Sequence, residues 1–387
     1  MNNRIFKYFW YLYLFEFITP FVLILNYLTG IDLFDLIKII PVLYYVTCLI
    51  GVSNKRVPKT HLLSLFILYN IWGFTLGIAN NPLDNKFLSH IYFGTIPILG
   101  IIFGYNFAEV FNDELLETFL SIMKLAFWGT FITLCFYFYY YYIIGSIAYW
   151  GFGTDLHLIV LFLLFNKKYF KYFISLILTV LSGKRATLLN FGLISLLYFI
   201  PNFFGKNNKK SLFSLLSILL IIIAIYYLLQ LGMFKRMEYV LEFNRNDEYS
   251  TIIATGGRWQ EIIGIIEYFI EKPLAILVGA GYGGTYLWFF SSTTFHEYKH
   301  YAHFTPVAYA FIYGVPFAMI LYTFLIRQII IGFSKISRNP FFFATIVSIF
   351  GSFFGANMLV DIKIWIFIGM TVYSNQNPKA YISQLKF

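Results

Sequence analysis

Residues 255–284 read "TGGRWQEIIGIIEYFIEKPLAILVGAGYGG". The stretch is moderately apolar, yet it carries Arg258, three glutamates, Lys272, Pro273 and a cluster of glycines. Whether it crosses a bilayer or lies beside one decides how the rest of the chain is threaded. Trp259, Ile262, Ile263, Ile266, Phe269 and Ile270 recur at helical spacing, which predicts an amphipathic helix from Arg258 to Glu271. Pro273 and the glycine run at 279–284 end it. The pattern fits a helix lying near the membrane surface and then a flexible turn, rather than a crossing.

The flanking sequence is built for lipid. Of 387 residues, 59% are hydrophobic and 12% charged, against roughly 25% charged in soluble domains, and mean hydropathy is +0.72. A helical span needs about 20 mostly apolar residues. Runs near 10–28, 36–53, 61–79, 88–106, 121–143, 156–166, 172–182, 186–204, 211–232, 305–326, 341–357 and 359–373 predict about twelve spans. The first run lacks a small-residue cleavage site and reads as a retained span. Residues 107–119, with Glu109, Asp113, Glu114 and Glu117, read as a second amphipathic stretch.

With the N-terminus inside, inner loops hold sixteen lysines and arginines, among them Lys55, Lys59, Lys167, Lys209, Arg327 and Lys335. The short outer loops hold three: Lys86, Lys184 and Arg185. This positive-inside asymmetry accounts for the net charge of +10 without a nucleic-acid partner. Cys48 and Cys135 fall inside apolar runs, where neither a disulfide framework nor a metal knuckle is supported. The expectation is an all-α, polytopic membrane protein, one integral domain over 1–387, with a large extracytoplasmic loop at 233–304 that contains the opening stretch.

Ser182-Gly183-Lys184-Arg185 begins a span on the outer face. A helix N-terminus carries partial positive charge and prefers acidic neighbours, so two cations there are out of place unless an anion, most naturally a phosphate, joins them. Snorkelling to lipid phosphates accounts for the same pair. Gly256-Gly257-Arg258 repeats the anomaly, and Glu261 one turn on is the local alternative that offsets Arg258. Two external arginines, each a planar fork, suit a diphosphate. Arg245 is a third candidate, in a loop rich in acidic residues. His303 precedes a span on the outer side, where a helix N-terminus disfavours imidazolium; it can then accept a proton. His296 and His300 share its loop, but nothing in the sequence orders the three into a metal site. Asp32 and Asp35 lie in the first outer loop and read mainly as solvated residues. No Walker loop is present, and the glycine run follows no βαβ pattern.

Taken in order, these pieces resemble the O-antigen ligase and polymerase superfamily, the Wzy-like polymerases and the ligases of bacterial surface polysaccharides. The stretches that carry the resemblance are "LSGKRATLLNFGL" (181–193), "GRWQEIIGIIEYFIEKPLAILVGAGYGG" (257–284) and "AHFTPVAYAFIYGVPFAMILY" (302–322). They cover the second half of the chain; the first half matches only as a string of spans. Many ligases follow the histidine with asparagine, and Phe304 stands there in this chain.

The resemblance implies a metal-independent, cofactor-free glycosyltransferase of the GT-C class in the bacterial inner membrane, its active site facing outward. Donor and acceptor would be glycans carried on a polyprenyl diphosphate such as undecaprenyl diphosphate. Arg185 and Arg258, with Lys184 and Arg245 beside them, would bind the diphosphate, and His303 would act as general base. The product would be O-antigen of lipopolysaccharide or capsule, with a chain-length regulator as a further partner. The histidine context and small size favour the polymerase; the sister reading is a ligase that transfers the glycan to lipid A–core. A flippase or transporter would place its charges near the midplane instead. A non-catalytic receptor would give no reason for external arginines beside a histidine.

Overall fold

Short polar residues start the long helices. Thr60 accepts from the Leu63 N–H at the head of a helix over His61–Asn80, and Asp84 accepts from the N–H groups of Lys86 and Phe87 at the head of the next, Asn85–Glu109. Asn112 accepts from Leu115 N–H to start Asp113–Phe138. Each cap satisfies N–H groups that have no partner within the helix. The computed structural model describes residues 3–17, 22, 25–26, 28–30, 34–53, 55, 57–139, 156–181, 185–203, 257–289, 296–335, 339–353 and 358–386. The expected span at 211–232, the loop up to residue 256, Asp32, Lys184 and Arg245 lie outside them.

In chain order the helices are α1 (Asn3–Tyr11, tightening into a 3-10 helix over Leu12–Phe17), α2 (Phe34–Val52), α3 (His61–Asn80), α4 (Asn85–Glu109) and α5 (Asp113–Phe138). Then come α6 (Leu156–Phe165), α7 (Tyr169–Leu181), α8 (Arg185–Phe203), α9 (Arg258–Glu271) and α10 (Ala275–Val278). A two-stranded antiparallel hairpin follows, β1 (Tyr286–Phe289) with β2 (His296–Lys299), in the register Tyr286↔Lys299. The chain continues with α11 (Thr305–Tyr313), α12 (Val315–Lys335), α13 (Pro340–Ser352), α14 (Ile362–Gln376) and α15 (Tyr381–Gln384). The protein is mostly helical, and α3, α4, α5 and α12 are each long and apolar enough to cross a membrane. Leu68 and Ile71 of α3, and Met319 and Ile330 of α12, are all more than 60% exposed. Such apolar faces suit lipid contact.

Several sequence expectations are corrected. The span expected at 305–326 is two helices, broken at Gly314 (φ +95°), where a Cβ would lie 2.3 Å from the Leu277 carbonyl oxygen. Tyr309 and Phe317 have ring centroids 5.7 Å apart, whereas eight residues of continuous helix would separate them by about 12 Å. The chain therefore folds back sharply at Gly314. The two final runs, expected as crossings, form α13 and α14, about 20 and 22 Å long by helical rise. Neither reaches across a hydrocarbon core of about 30 Å. Thr345 and Thr371 hydroxyls meet at 2.8 Å between them, and Asn339 at one open end bonds to the Ile382 carbonyl at the other. They are paired with both ends on one side, the arrangement of a re-entrant hairpin. Within the amphipathic stretch 107–119, α4 ends and α5 begins, and Glu114 pairs with Lys7 at 2.5 Å.

The most extensive helix contact is α4 against α14. Gly104 makes it possible, because a Cβ there would stand 2.1 Å from the Ile366 carbonyl oxygen. Small residues let membrane helices approach at backbone distance. The α13–α14 tip ends under the start of α11: Met358 N–H donates to the Thr305 hydroxyl at 3.2 Å, and the Trp365 indole donates to Met358 O at 2.7 Å.

Candidate active site

The part of the expected outer loop that is described, 257–289 and 296–304, packs into the bundle rather than standing away from it. Ala280 N–H donates to Phe311 O (2.7 Å), Gly281 N–H to Ile312 O (3.1 Å) and Tyr282 N–H to Gly73 O (2.9 Å). The Asn81 carboxamide donates to both Ala280 O and Tyr282 O. Gly279, Gly281 and Gly283 all adopt φ between +72° and +82°, and all are buried. The flexible turn expected at 279–284 is thus a fixed, hydrogen-bonded segment inserted between α3 and α11.

His90 of α4 holds this segment to the following one. Gly283 N–H donates to His90 Nδ1 at 2.9 Å, so that nitrogen is the acceptor; Nε2 then carries the proton and donates to His300 O. One neutral imidazole ties 283 to 300. Burial, and then the Lys86 ammonium, push the His300 imidazole below its usual pKa. Its ring lies parallel to Phe93 at 6.2 Å.

From this frame hangs the polar pair. His303 Nδ1 lies 2.7 Å from Glu261 Oε1, and the His303 backbone N–H donates to Glu261 Oε2 at 2.8 Å. The Glu261 side chain is 3% exposed and that of His303 is 43% exposed. An ionised carboxylate only accepts, so Nδ1 carries the hydrogen and Nε2 presents its lone pair. Nε2 has no hydrogen-bond partner among the described residues. A buried carboxylate orienting a half-exposed imidazole is the relation that lets histidine work as a general base.

Glu261 reaches this place because the polar side of α9 packs against the protein. Its buried residues are Gln260, Glu261, Gly264 and Ile265, against β1; Trp259, Ile266 and Ile270 are 46%, 49% and 71% exposed. The apolar stripe faces outward, as does Leu274 at 76%. In lipid the polar side of a helix is the one that seeks the protein interior.

Arg258 opens α9, one turn before Glu261, after Gly257 in the left-handed region (φ +79°). Gly257 O accepts from the Trp288 indole at 3.3 Å, which fixes the helix start against β1. Lys299 stands 3.8 Å over the same indole ring. Glu261 offsets the Arg258 charge from one helical turn away, the local alternative the sequence offered, while its two oxygens also orient His303. Burial pulls the Arg258 guanidinium below its usual pKa while Glu261 holds it up. It remains charged.

The structure thus places Arg258 one helical turn before the glutamate that His303 meets. Arg185 begins α8, as expected, but its side chain lies outside the described residues, as do those of Asp35 and His296 and the whole of Lys184 and Arg245. Among the described residues no three His, Cys, Asp or Glu side chains converge as metal ligands. Sequence reasoning missed Glu261 as a partner of His303. The available signal was its place on the polar side of α9, beside Gln260 and Gly264. It also missed the β-hairpin, whose aromatic-rich first strand, Tyr286-Leu-Trp-Phe289, was the cue.

No family model, no curated protein and no solved structure matches the chain.

Proposed function

We propose that the chain is a polytopic GT-C-class glycosyltransferase in the bacterial inner membrane. It polymerises polyprenyl-diphosphate-linked repeat units into O-antigen or capsular polysaccharide at the outer face, without metal or cofactor. The observation that carries the reading is the buried Glu261 carboxylate on His303 Nδ1, one helical turn from Arg258.

In this mechanism His303 Nε2 takes the proton of an acceptor-sugar hydroxyl as its oxygen bonds to the anomeric carbon of the donor. The bond from that carbon to the diphosphate breaks, and its electron pair goes to the diphosphate oxygen. Arg258, with Arg185 and Lys184 at the head of α8 and Arg245 in the adjacent loop, neutralises the charge that develops there. A fixed guanidinium acts more strongly on that transition state than on the intact donor. Glu261 keeps the proton on Nδ1 and stabilises the imidazolium that forms. Diphosphate departure drives the step without ATP. The outward apolar face of α9 lets the polyprenyl tail approach the site from lipid.

The test is chain extension in cells or membranes. Arg258→Ala, Arg185→Ala and His303→Ala should each lower it about 100-fold or more with normal membrane insertion. Arg258→Lys should lose about tenfold or more, because a point charge does not replace the fork. Full activity in Arg258→Ala would remove the diphosphate role. Deleting the gene should abolish the polysaccharide ladder and leave single-unit material; a ladder accumulating on the lipid carrier would assign the ligase reaction instead.

A further inference from the structure

At the opposite end of α3 and α12 lies a cavity of about 440 Å³, walled by the starts of α3, the lower half of α12 and the end of α14. Its polar lining includes Lys59, His61, Arg327, Gln328, Lys335 and Gln376, and no carboxylate lines it among the described residues. The two glutamine side chains add donors. Gln328 Oε1 already accepts from the Asn375 amide at 2.8 Å, and Gln376 Oε1 accepts from the Tyr105 hydroxyl at 2.9 Å. Their oxygens are engaged, so each turns its NH₂ group to other partners. Lys335 gives one of its three N–H groups to Asn375 O at 3.1 Å. The α3 N-terminus, capped by Thr60, opens onto the same space and adds its partial positive charge.

Basic residues at span ends are expected from topology alone. Topology does not require two separate elements to direct them into one concavity together with neutral donors from a third. We propose that this cavity binds a phosphate-bearing anion, whose phosphate oxygens accept from Arg327, Lys59 and Lys335. Beside it, Ile67 and Leu68 of α3 and Ile326 and Ile330 of α12 are 40–65% exposed and apolar. Acyl chains of a lipid could lie on those faces with the headgroup phosphate in the cavity. A soluble phosphate offers the same anion without the chains. Basic pockets between membrane helices take anionic headgroups by this chemistry. The inference is independent of sugar transfer, since the cavity lies at the far end of α3 from Asn81, which holds the 280–282 segment.

The experiment uses the full-length protein in neutral detergent and follows its thermal unfolding. It is titrated with phosphatidylglycerol, with phosphatidylcholine, and with inorganic phosphate or pyrophosphate. Phosphatidylglycerol should raise the midpoint where phosphatidylcholine does not. The double variant Lys59→Gln/Arg327→Gln should bind at least about tenfold more weakly. Arg327→Lys, which keeps the charge, should retain most of the shift, and Lys59 is an exposed loop position whose loss leaves the fold intact. A shift with phosphate or pyrophosphate alone would assign a soluble anion to the same site. Equal shifts with both lipids and none with phosphate would overturn the proposal, as would an unchanged shift in the double variant.

Discussion

A carboxylate that accepts both the Nδ1–H and the backbone N–H of one histidine holds that ring in a single orientation and tautomer. Glu261 does this for His303 from a nearly dry position. Glu261→Gln keeps the size and one acceptor oxygen, but its NH₂ group meets Nδ1, which must then become the acceptor. The proton moves to Nε2, and the base is lost. Chain extension should fall about 100-fold or more with little change in thermal stability. Glu261→Ala should in addition destabilise the fold by about 1–3 kcal/mol, because the His303 N–H loses its acceptor. Full activity in Glu261→Gln would make the pair a structural tie only. His303 was legible as a candidate because it stands just before a helix, whose N-terminus disfavours imidazolium. Its partner, 42 positions away, was not, since hydrogen bonds of that range depend on how α9 turns its faces.

Helices of this chain are joined by backbone proximity as much as by side-chain packing, and Gly104 is the sharpest case. Gly104→Ala drives a methyl group into the Ile366 carbonyl, which belongs to a helix backbone and cannot rotate aside. Thermal unfolding in detergent should show a loss of about 1–3 kcal/mol. Gly192→Ala is the matched control: a Cβ there meets nothing within 4 Å, and a helix former replaces glycine, so stability should hold or rise slightly. The spacing Gly100-Ile-Ile-Phe-Gly104 carries this contact in the sequence as a small-residue pair four apart. Helix starts were equally local, since Thr60, Asp84 and Asn112 mark them by side-chain chemistry. The break at Gly314 was not: apolar residues continue on both sides, and only the Leu277 carbonyl beneath shows why the chain turns there.

At the scale of the molecule, the β-hairpin and the Asn81–Asp84 turn occupy one end of the bundle, and the cationic cavity occupies the other. The proposed orientation has the hairpin end outside, as charge asymmetry suggests. In a Cys135→Ser background, Tyr298→Cys should therefore react with an impermeant maleimide on intact cells, while Lys59→Cys should react only after permeabilisation. Tyr298 is 63% exposed, and the remaining Cys48 is buried. The reverse labelling pattern would put His303 on the cytoplasmic side and remove the lipid-diphosphate reading altogether.

By itself the sequence determined the membrane-embedded helical class, most helix positions and the amphipathic nature of α9, because these depend on composition, local capping and residue spacing. Only the tertiary structure decided which face of α9 is interior, that α13 and α14 pair as a short hairpin, and that Glu261 meets His303. Periodicity identifies a stripe but does not say whether lipid or protein covers it. In a bilayer both are apolar, so the choice falls to the polar groups, whose partners are found only when the chain is folded.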